Sequence, residues 1–448
     1  MLNFLQRHIQ FYLLIAIWIG AAVTASPLVY LLLPLTILLL RNKEQFPEML
    51  FGFIMVLVLS DVHKDFHAIA VFKGAKNIYI VALTALFLNE TGRFIELSKI
   101  FKIFLPFVAY SFFPLLFSPD PTVAAQKTLS YALLILVVPN YVLYSFRMQG
   151  WAFCRNLVFF LIFVLLFGLY FRYTGDGYVS GRFRGFFGNP NGLGLFCYLT
   201  LMLFAVVDSL NGRLFRYWER WLIYGIVLYF LWTSGSRASL ISVFILFTFQ
   251  RFFSGSALLG FVALLFFMVM FEYVYSNLGE IAAFLGAEDY LRVNTLESGS
   301  GRYFAWTFAW ERVQDYFMFG GGFGTDEFVM RSNYDYLERM GHQGGVHNSY
   351  LSLWFDVGIL GLLIYFRSFV LLFVKASRSA SISMAVLFSV LFSVTYESWL
   401  VGSLNPFTIL LFVALTLLSE EEIAFASPDF QGEHAGPEGS LEPRLTEA

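Results

Sequence analysis

Long apolar runs, broken only by short polar connections, recur from one end of this chain to the other. A lipid hydrocarbon layer offers no water to pair with backbone groups, so only helices and closed barrels cross it. The runs are continuous rather than alternating, and continuous runs of this length belong to helices. They fall near 10–25, 27–40, 48–60, 76–88, 100–117, 128–146, 155–171, 190–208, 219–234, 237–250, 256–275, 347–373, 380–397 and 403–419. A full crossing takes roughly 20 residues, so the shorter runs imply tilted or re-entrant segments and about 12–14 spans. The fold class is therefore all-α, a polytopic transmembrane helix bundle.

Composition agrees: 58% of the 448 residues are hydrophobic and only 13% are charged. A net charge of −2 lacks the basic excess that nucleic-acid binding needs, so no nucleic-acid partner is expected. Cys154 and Cys197 both lie in or beside apolar runs, which suits buried thiols rather than a disulfide framework. The basic start and apolar stretch of "MLNFLQRHIQFYLLIAIWIG" run on without a small-residue cleavage site and read as a retained anchor.

Sidedness follows from where Lys and Arg fall. "RNKEQ" (41–45), "RMQGWAFCRN" (147–156), "NGRLFRYWER" (211–220), "QRFFSGS" (250–256) and "KASRSA" (375–380) are short, basic and alternate along the chain. The positive-inside rule makes them cytoplasmic, together with both termini. The expected units are a first bundle segment over 1–275, a large outer loop over 276–346, a second bundle segment over 347–419, and an acidic, Pro/Gly-rich cytoplasmic tail over 420–448 that reads as disordered. Within the loop, Ser300 is placed to cap a helix carrying Tyr303, Trp306, Phe308 and Trp310, a pattern suited to a membrane interface.

The outer side, where basic residues should be scarce, holds an unusual set of them. "GRFRGFFGNPNGLGLF" places Arg182 and Arg184 before a helix that Asn189 caps, with Pro190 at its first position and Asn191 behind it. "WTSGSRASL" puts Arg237 in the first turn of the next inbound span, capped by Ser234 or Ser236. Arg302 follows Ser300 and Gly301 at a helix start, and His347 with Asn348 opens the span after the loop. A helix N-terminus carries about half a positive charge, so cations there are penalised unless an anion lies between them. Helix N-termini and guanidinium forks both suit phosphate oxygens, and convergence of these four places would make a site for a lipid-borne diphosphate. Taken singly, each has a plainer use: arginines snorkel to headgroups, a histidine caps, and "GNPNGLG" permits close helix packing. The run "FGGGFG" (319–324) has no strand before it and no Lys-Ser/Thr after it, so it reads as a hinge that returns the Arg302 helix to the bundle rather than a nucleotide loop.

In order, "RFRGFFGNPNGLG", "TSGSRASL", "GRYFAWTFAWERVQDYFMFGGGFG" and "HNSYLSLWFDVGILGLL" resemble the polytopic core shared by bacterial O-antigen ligases and O-antigen polymerases. The resemblance covers roughly Arg172 to Phe373, and it departs where the family often has a proline before the glycine-rich turn and this chain has Phe317 and Met318. It implies a glycosyltransferase of the bacterial inner membrane whose donor is a glycan on undecaprenyl diphosphate and whose site faces the periplasm. In a ligase the acceptor is a lipid A-core sugar; in a polymerase it is the next lipid-linked repeat unit. Carried over by motif, Arg237 and Arg302 would hold the diphosphate and His347 would act as general base on the attacking hydroxyl. Arg184, a lesser candidate for the donor or acceptor glycan and the better placed of the two hairpin arginines, would bind substrate together with Arg182, Asn189, Asn191 and Asn348, Asn189 and Asn191 also supporting the turn.

The chain has no Asp-x-Asp pair and no Cys cluster, so neither a metal nor any other cofactor is expected, and the arginines would stabilise the leaving group. Direct displacement with inversion follows from the resemblance alone. Glu297, Asp326 and Glu327 are lesser candidates for the base, while Glu272, Asp356 and Glu397 near span ends read as local partners. A transporter of lipid-linked sugars is the competing class. It would set its substrate site near the bilayer midplane, whereas the polar motifs here gather on one side.

Overall fold

The computed structural model describes residues 8–62, 67–90, 97–173, 175–253, 255–277, 284, 302–342, 344–378 and 380–426. The Ser300 cap, Glu297 and the tail beyond residue 426 lie outside these. The described chain is helical almost throughout, and every expected span corresponds to a helix. The first set comprises α1 (Ile9–Ala25), α2 (Leu28–Asn42), α3 (Phe46–Ser60), α4 (Phe72–Asn89), α5 (Lys99–Ser111), α6 (Pro121–Gln149) and α7 (Trp151–Phe167). After a short hairpin, β1 (Tyr178–Val179) and β2 (Arg182–Phe183), come α8 (Pro190–Leu210), α9 (Tyr217–Ser234), α10 (Arg237–Phe252) and α11 (Ala257–Ser276). The loop region holds α12 (Arg302–Val313), α13 (Thr325–Ser332) and α14 (Tyr334–Arg339). The chain closes with α15 (Ser349–Ala376), α16 (Ser383–Tyr396), α17 (Pro406–Ser419) and α18 (Glu421–Phe425).

Among the described residues, seven helices are long and apolar enough to cross a membrane, and five shorter apolar ones pack with them. The shortest, α16 and α17 at 14 residues each, reach only about 21 Å. They are buried on nearly all sides, as helices wrapped by other helices should be. At the other extreme, α11 shows most of its surface outward and packs chiefly on α16, which suits a helix at a lipid-facing rim.

Side-chain contacts sort the connections into two ends, and the sorting follows the expected alternation. At one end Arg41 pairs with Glu90, Lys43 reaches Gln10 at 2.8 Å, Arg155 meets Glu219 at 2.7 Å and Arg220 meets Asp208 at 3.1 Å. The residues 420–426, expected to belong to a disordered tail, are ordered and docked at this same end. Arg147 pairs with Glu422 at 2.8 Å, Lys99 with Glu421 at 2.6 Å, and the Trp151 indole donates to the Ala426 carbonyl at 3.1 Å. The acidic run that suggested disorder finds the basic connections instead. The opposite end carries the hairpin, the loop helices and the N-termini of α6, α8, α10, α15 and α17.

The glycine run of the loop is pinned rather than hinged. Midway through its upper half, α15 breaks at Gly358, whose φ of 66° and ψ of 179° are not helical. The freed backbone pairs with the loop: Gly321 and Gly322 donate to the carbonyls of Phe355 and Asp356 at 2.9 and 2.8 Å, and Ile359 donates to Phe317 at 2.8 Å. A Cβ on Gly320 would lie 2.5 Å from three backbone atoms of 356–358, and one on Gly358 would lie 2.4 Å from the Met318 carbonyl oxygen. Two backbones touch here, and only glycine permits it. Non-helical backbone at this depth is tolerable because another segment satisfies it. Gly320→Ala should therefore lower the thermal unfolding midpoint, costing about 1–3 kcal/mol or more. Gly20→Ala, with open space around it, should leave the midpoint unchanged or slightly raised. Equal midpoints for the two variants would show the contact to be dispensable.

Candidate functional site

Arg182, the hairpin arginine, is held at the junction of three helices. Its Nε donates to the Ser234 carbonyl at 2.8 Å and its Nη2 to Asn191 Oδ1 at 2.6 Å. A cation at the C-terminus of α9 is favoured by the dipole, which explains a basic residue on this side without any ligand. Gly235 then turns left-handed with φ of 58°, as a residue just past a helix commonly does, and α10 begins two residues later. Gly194 makes this turn possible, because a Cβ there would fall 2.3 Å from the Ser236 Cβ. Neither serine caps α10 by its side chain: Ser236 Oγ donates to Ser239 Oγ at 2.9 Å, while Ser234 Oγ accepts from the Ser236 N–H at 3.2 Å.

Arg184 faces differently. It is buried, and its Nε donates to the Asp176 carbonyl at 2.9 Å, so it braces the loop from within. Asn189 caps α8 by accepting from the Gly192 N–H at 2.8 Å. The close approach of α8 to the α9–α10 turn sets Arg237, half-buried in the first turn of α10, beside this capped end.

The second half of the site is built around a carboxylate. Glu397 ends α16, and its Oε1 meets Arg302 Nη2 at 2.8 Å while its Oε2 lies 3.5 Å from His347 Nδ1. Its own backbone is fixed as well: Ser349 Oγ donates to the Glu397 carbonyl at 2.7 Å, and the Asn348 N–H donates to Ser398 Oγ at 2.8 Å. Asn348 Oδ1 caps α15 through the N–H groups of Tyr350 and Leu351. His347, one residue earlier, holds a left-handed φ of 52°, a strained conformation for a side chain of its size. That twist turns the ring toward Glu397 on one side and toward Gly344 on the other, where a Cβ would lie 3.0 Å from Nε2. Arg302, Glu397 and His347 are 25, 15 and 34% exposed, so the cluster is reachable from outside.

With Nδ1 facing a carboxylate, the hydrogen-bond logic assigns the Nδ1–H tautomer and leaves Nε2 as the basic nitrogen. The ring of His342 stands perpendicular to it with centroids 6.0 Å apart. Burial lowers the His342 pKa, and the neighbouring His347 acts in the same sense.

The two halves share one end of the bundle through the packing of α10 against α16. These helices run antiparallel, with Phe249 against Phe388 near their far ends, so Arg237 and Glu397 occupy the same end of the pair. Arg302 and His347 thus meet directly through Glu397, whereas Arg237, Arg182, Asn191 and Asn189 gather around the start of α8. Glu397 reads from sequence only as a local partner. Its signal was its position, since a carboxylate at a helix C-terminus opposes the dipole just as a cation at an N-terminus does. Asp61 and Lys76 gave no such signal. Lys76 donates to the Leu404 carbonyl at 2.8 Å, and burial pushes the Asp61 carboxyl up to about 7 against the pull of Lys76.

The other acidic candidates sit beside the cluster rather than in it. Glu327 pairs with Lys127 at 2.7 Å. Asp326 is buried and hydrogen-bonded to Ser352. Ser352 in turn reaches Ser398 at 3.3 Å, which ties α13 to the segment that carries Glu397.

Residues 221–366 match the O-antigen ligase family. The matched stretch contains Arg237, Arg302 and His347, begins after the hairpin and ends before Glu397, and it supports placing the chain in the O-antigen ligase and polymerase superfamily. No curated protein matches the chain.

Burial, with Glu327 alongside, pushes the Asp326 carboxyl up to about 6. An acid that keeps its proton longer when folded weakens the fold as it ionises, so this contribution is lost as pH rises from about 4 through about 6. The thermal midpoint of the wild-type protein should fall across that window, and Asp326→Asn should flatten the fall while keeping the bond to Ser352. An unchanged slope in the variant would assign the pH dependence elsewhere.

Proposed function

We propose that this protein, an O-antigen ligase-like membrane glycosyltransferase by its family match, moves a glycan from undecaprenyl diphosphate to an acceptor hydroxyl. The reaction takes place at the periplasmic face of the inner membrane. The observation that carries the reading is the cluster of Arg302, His347 and Glu397, with Arg237 at the same end of the bundle.

A glycosyl diphosphate reacts as its C–O bond breaks and charge builds on the leaving phosphate. Guanidinium groups in a site of reduced dielectric stabilise that charge without reorganising, and each such group is worth about 3–4 kcal/mol. Arg302 carries five N–H donors and commits Nη2 to Glu397, and with Arg237 it would grip the diphosphate. His347 Nε2 would take the proton from the attacking hydroxyl as the oxygen bonds to the anomeric carbon. Glu397, facing Nδ1, would hold the ring in place and stabilise the imidazolium that forms. The proton ends on His347, the glycan on the acceptor oxygen, and the electron pair on the departing diphosphate. A single displacement of this kind inverts the anomeric carbon, and the arginines take the part a divalent metal plays elsewhere. A lipid A-core acceptor, as in a ligase, is the preferred reading; a second lipid-linked repeat unit would make the protein a polymerase.

The test is release of undecaprenyl diphosphate by protein reconstituted in liposomes with a short lipid-linked glycan and an acceptor, in the presence of chelator. Passage of the substrate across the liposome without bond cleavage would replace transfer with transport. Arg237→Ala and Arg302→Ala should each lower turnover by about 100-fold or more with expression intact. Two variants at wild-type rates would remove the diphosphate assignment. His347→Ala should lower turnover at neutral pH while donor binding persists. Glu397→Gln, isosteric and still able to accept from Arg302, should lower kcat by about 10–100-fold and leave donor KM little changed. In cells lacking the protein, long chains retained on the carrier would indicate a ligase and single repeat units a polymerase.

A further inference from the structure

A cavity of about 300 Å³ opens on the same end of the bundle, between the start of α6 and α13. It is separate from the Glu397 cluster. Its volume is at the lower end of the range for small-molecule sites, roughly 300–1,000 Å³. Ser118, Asp120, Thr325, Glu327, Arg331 and Ser332 supply its polar wall, and Val123, Phe323 and Phe328 its apolar one.

The polar groups are of mixed sign and type. Glu327 meets Lys127 at 2.7 Å, and the Lys127 Nζ stands 3.0 Å from where a Cβ on Gly324 would be. Arg331 projects on the exposed face of α13, and Asp120 caps α6 through the Val123 N–H at 3.2 Å. A phosphate would be repelled by Glu327 and Asp120, and a bare cation by Lys127 and Arg331. A polyhydroxylated ligand suits both, because each hydroxyl donates to a carboxylate and accepts from an ammonium or guanidinium. The exposed ring of Phe328 offers a flat apolar surface to the C–H face of a sugar.

The walls are also rigid. Asp356 Oδ1 accepts from the N–H groups of Gly324 and Thr325 at 3.0 and 3.1 Å, and Thr325 Oγ1 donates to the Gly322 carbonyl at 2.7 Å. The broken helix that anchors the glycine run therefore shapes this cavity too. Through Asp326, Ser352 and Ser398 it is coupled to the segment bearing Glu397.

We propose that this cavity is a saccharide-binding subsite, which holds a sugar of the acceptor glycan beyond the residue that reacts. Its assignment to the acceptor rests on the glycan-transfer reading; its affinity for sugar does not. The full-length Ser332→Cys protein in nanodiscs provides a direct readout. Ser332 is exposed at the cavity, whereas Cys154 and Cys197 are buried, so a hydrophilic maleimide reports on position 332. The probe is the mixture of oligosaccharides released by mild acid from the surface glycolipids of the producing cells. Labelling should slow at least about fivefold at saturating oligosaccharide and be unaffected by sodium chloride or glycerol 2-phosphate. Adding Glu327→Gln should weaken this protection, and adding Arg302→Ala should leave it intact. Equal labelling rates with and without oligosaccharide, in protein with an unchanged thermal midpoint, would overturn the proposal. Protection by glycerol 2-phosphate alone would overturn it in favour of an anion site. Protection together with wild-type protein that releases no lipid diphosphate would leave the subsite standing and defeat the transfer reading alone.

Discussion

The carboxylate of Glu397 is the interaction on which the candidate site depends. Three parts of the chain that are far apart in sequence meet on it: Arg302, the first residue of α12, His347, two residues before α15, and Glu397 itself, just past the last residue of α16. A carboxylate at that helix end is opposed by the dipole, and leaving it unpaired in a partly buried position would cost more still. Arg302 and His347 offset both penalties. Each oxygen has its own partner, so the ion pair orients the histidine without competing for it. The hydrogen bonds of Ser349 and Asn348 to residues 397 and 398 hold the backbone beneath the cluster.

A second constraint works at a distance from any charge. In an apolar medium the backbone must be paired somewhere, yet α15 breaks at Gly358 inside an otherwise continuous helix. The glycine run supplies the missing partners, and the absence of side chains at Gly320 and Gly358 lets the two backbones touch. This junction fixes the end of the loop that follows α12. It sets the start of α13 through Asp356, and so positions both the Arg302 helix and the polar cavity beside it.

The helical bundle was legible because its signal is local. Apolar runs, caps and short basic connections identify each span, and the capping role of Asn189 was visible from residue type and position alone, whereas that of Asn348 came from the structure. Arg237, Arg302 and His347 stood out for a related reason, as polar groups at helix starts in a chain with few charges. Other features were misread where a local rule met a distant partner. Residues 420–426 looked like the start of a disordered tail until Lys99 and Arg147 engaged them. The glycine run looked like a hinge until the break in α15 received it. Which contacts the two hairpin arginines make was likewise decided at a distance, Arg182 reaching the turn before Arg237 and Arg184 the carbonyl of Asp176.

By itself the sequence determined the solvent, the helices and the alternation of their connections, because hydropathy, capping and charge act over a few residues at a time. Only the tertiary structure decided that Glu397 lies between Arg302 and His347, since each partner sits about 50 or more residues away and nothing in the local pattern encodes which helix ends meet. The broken helix belongs to the same category. Gly358 and Gly320 are ordinary glycines until packing brings one backbone against the other.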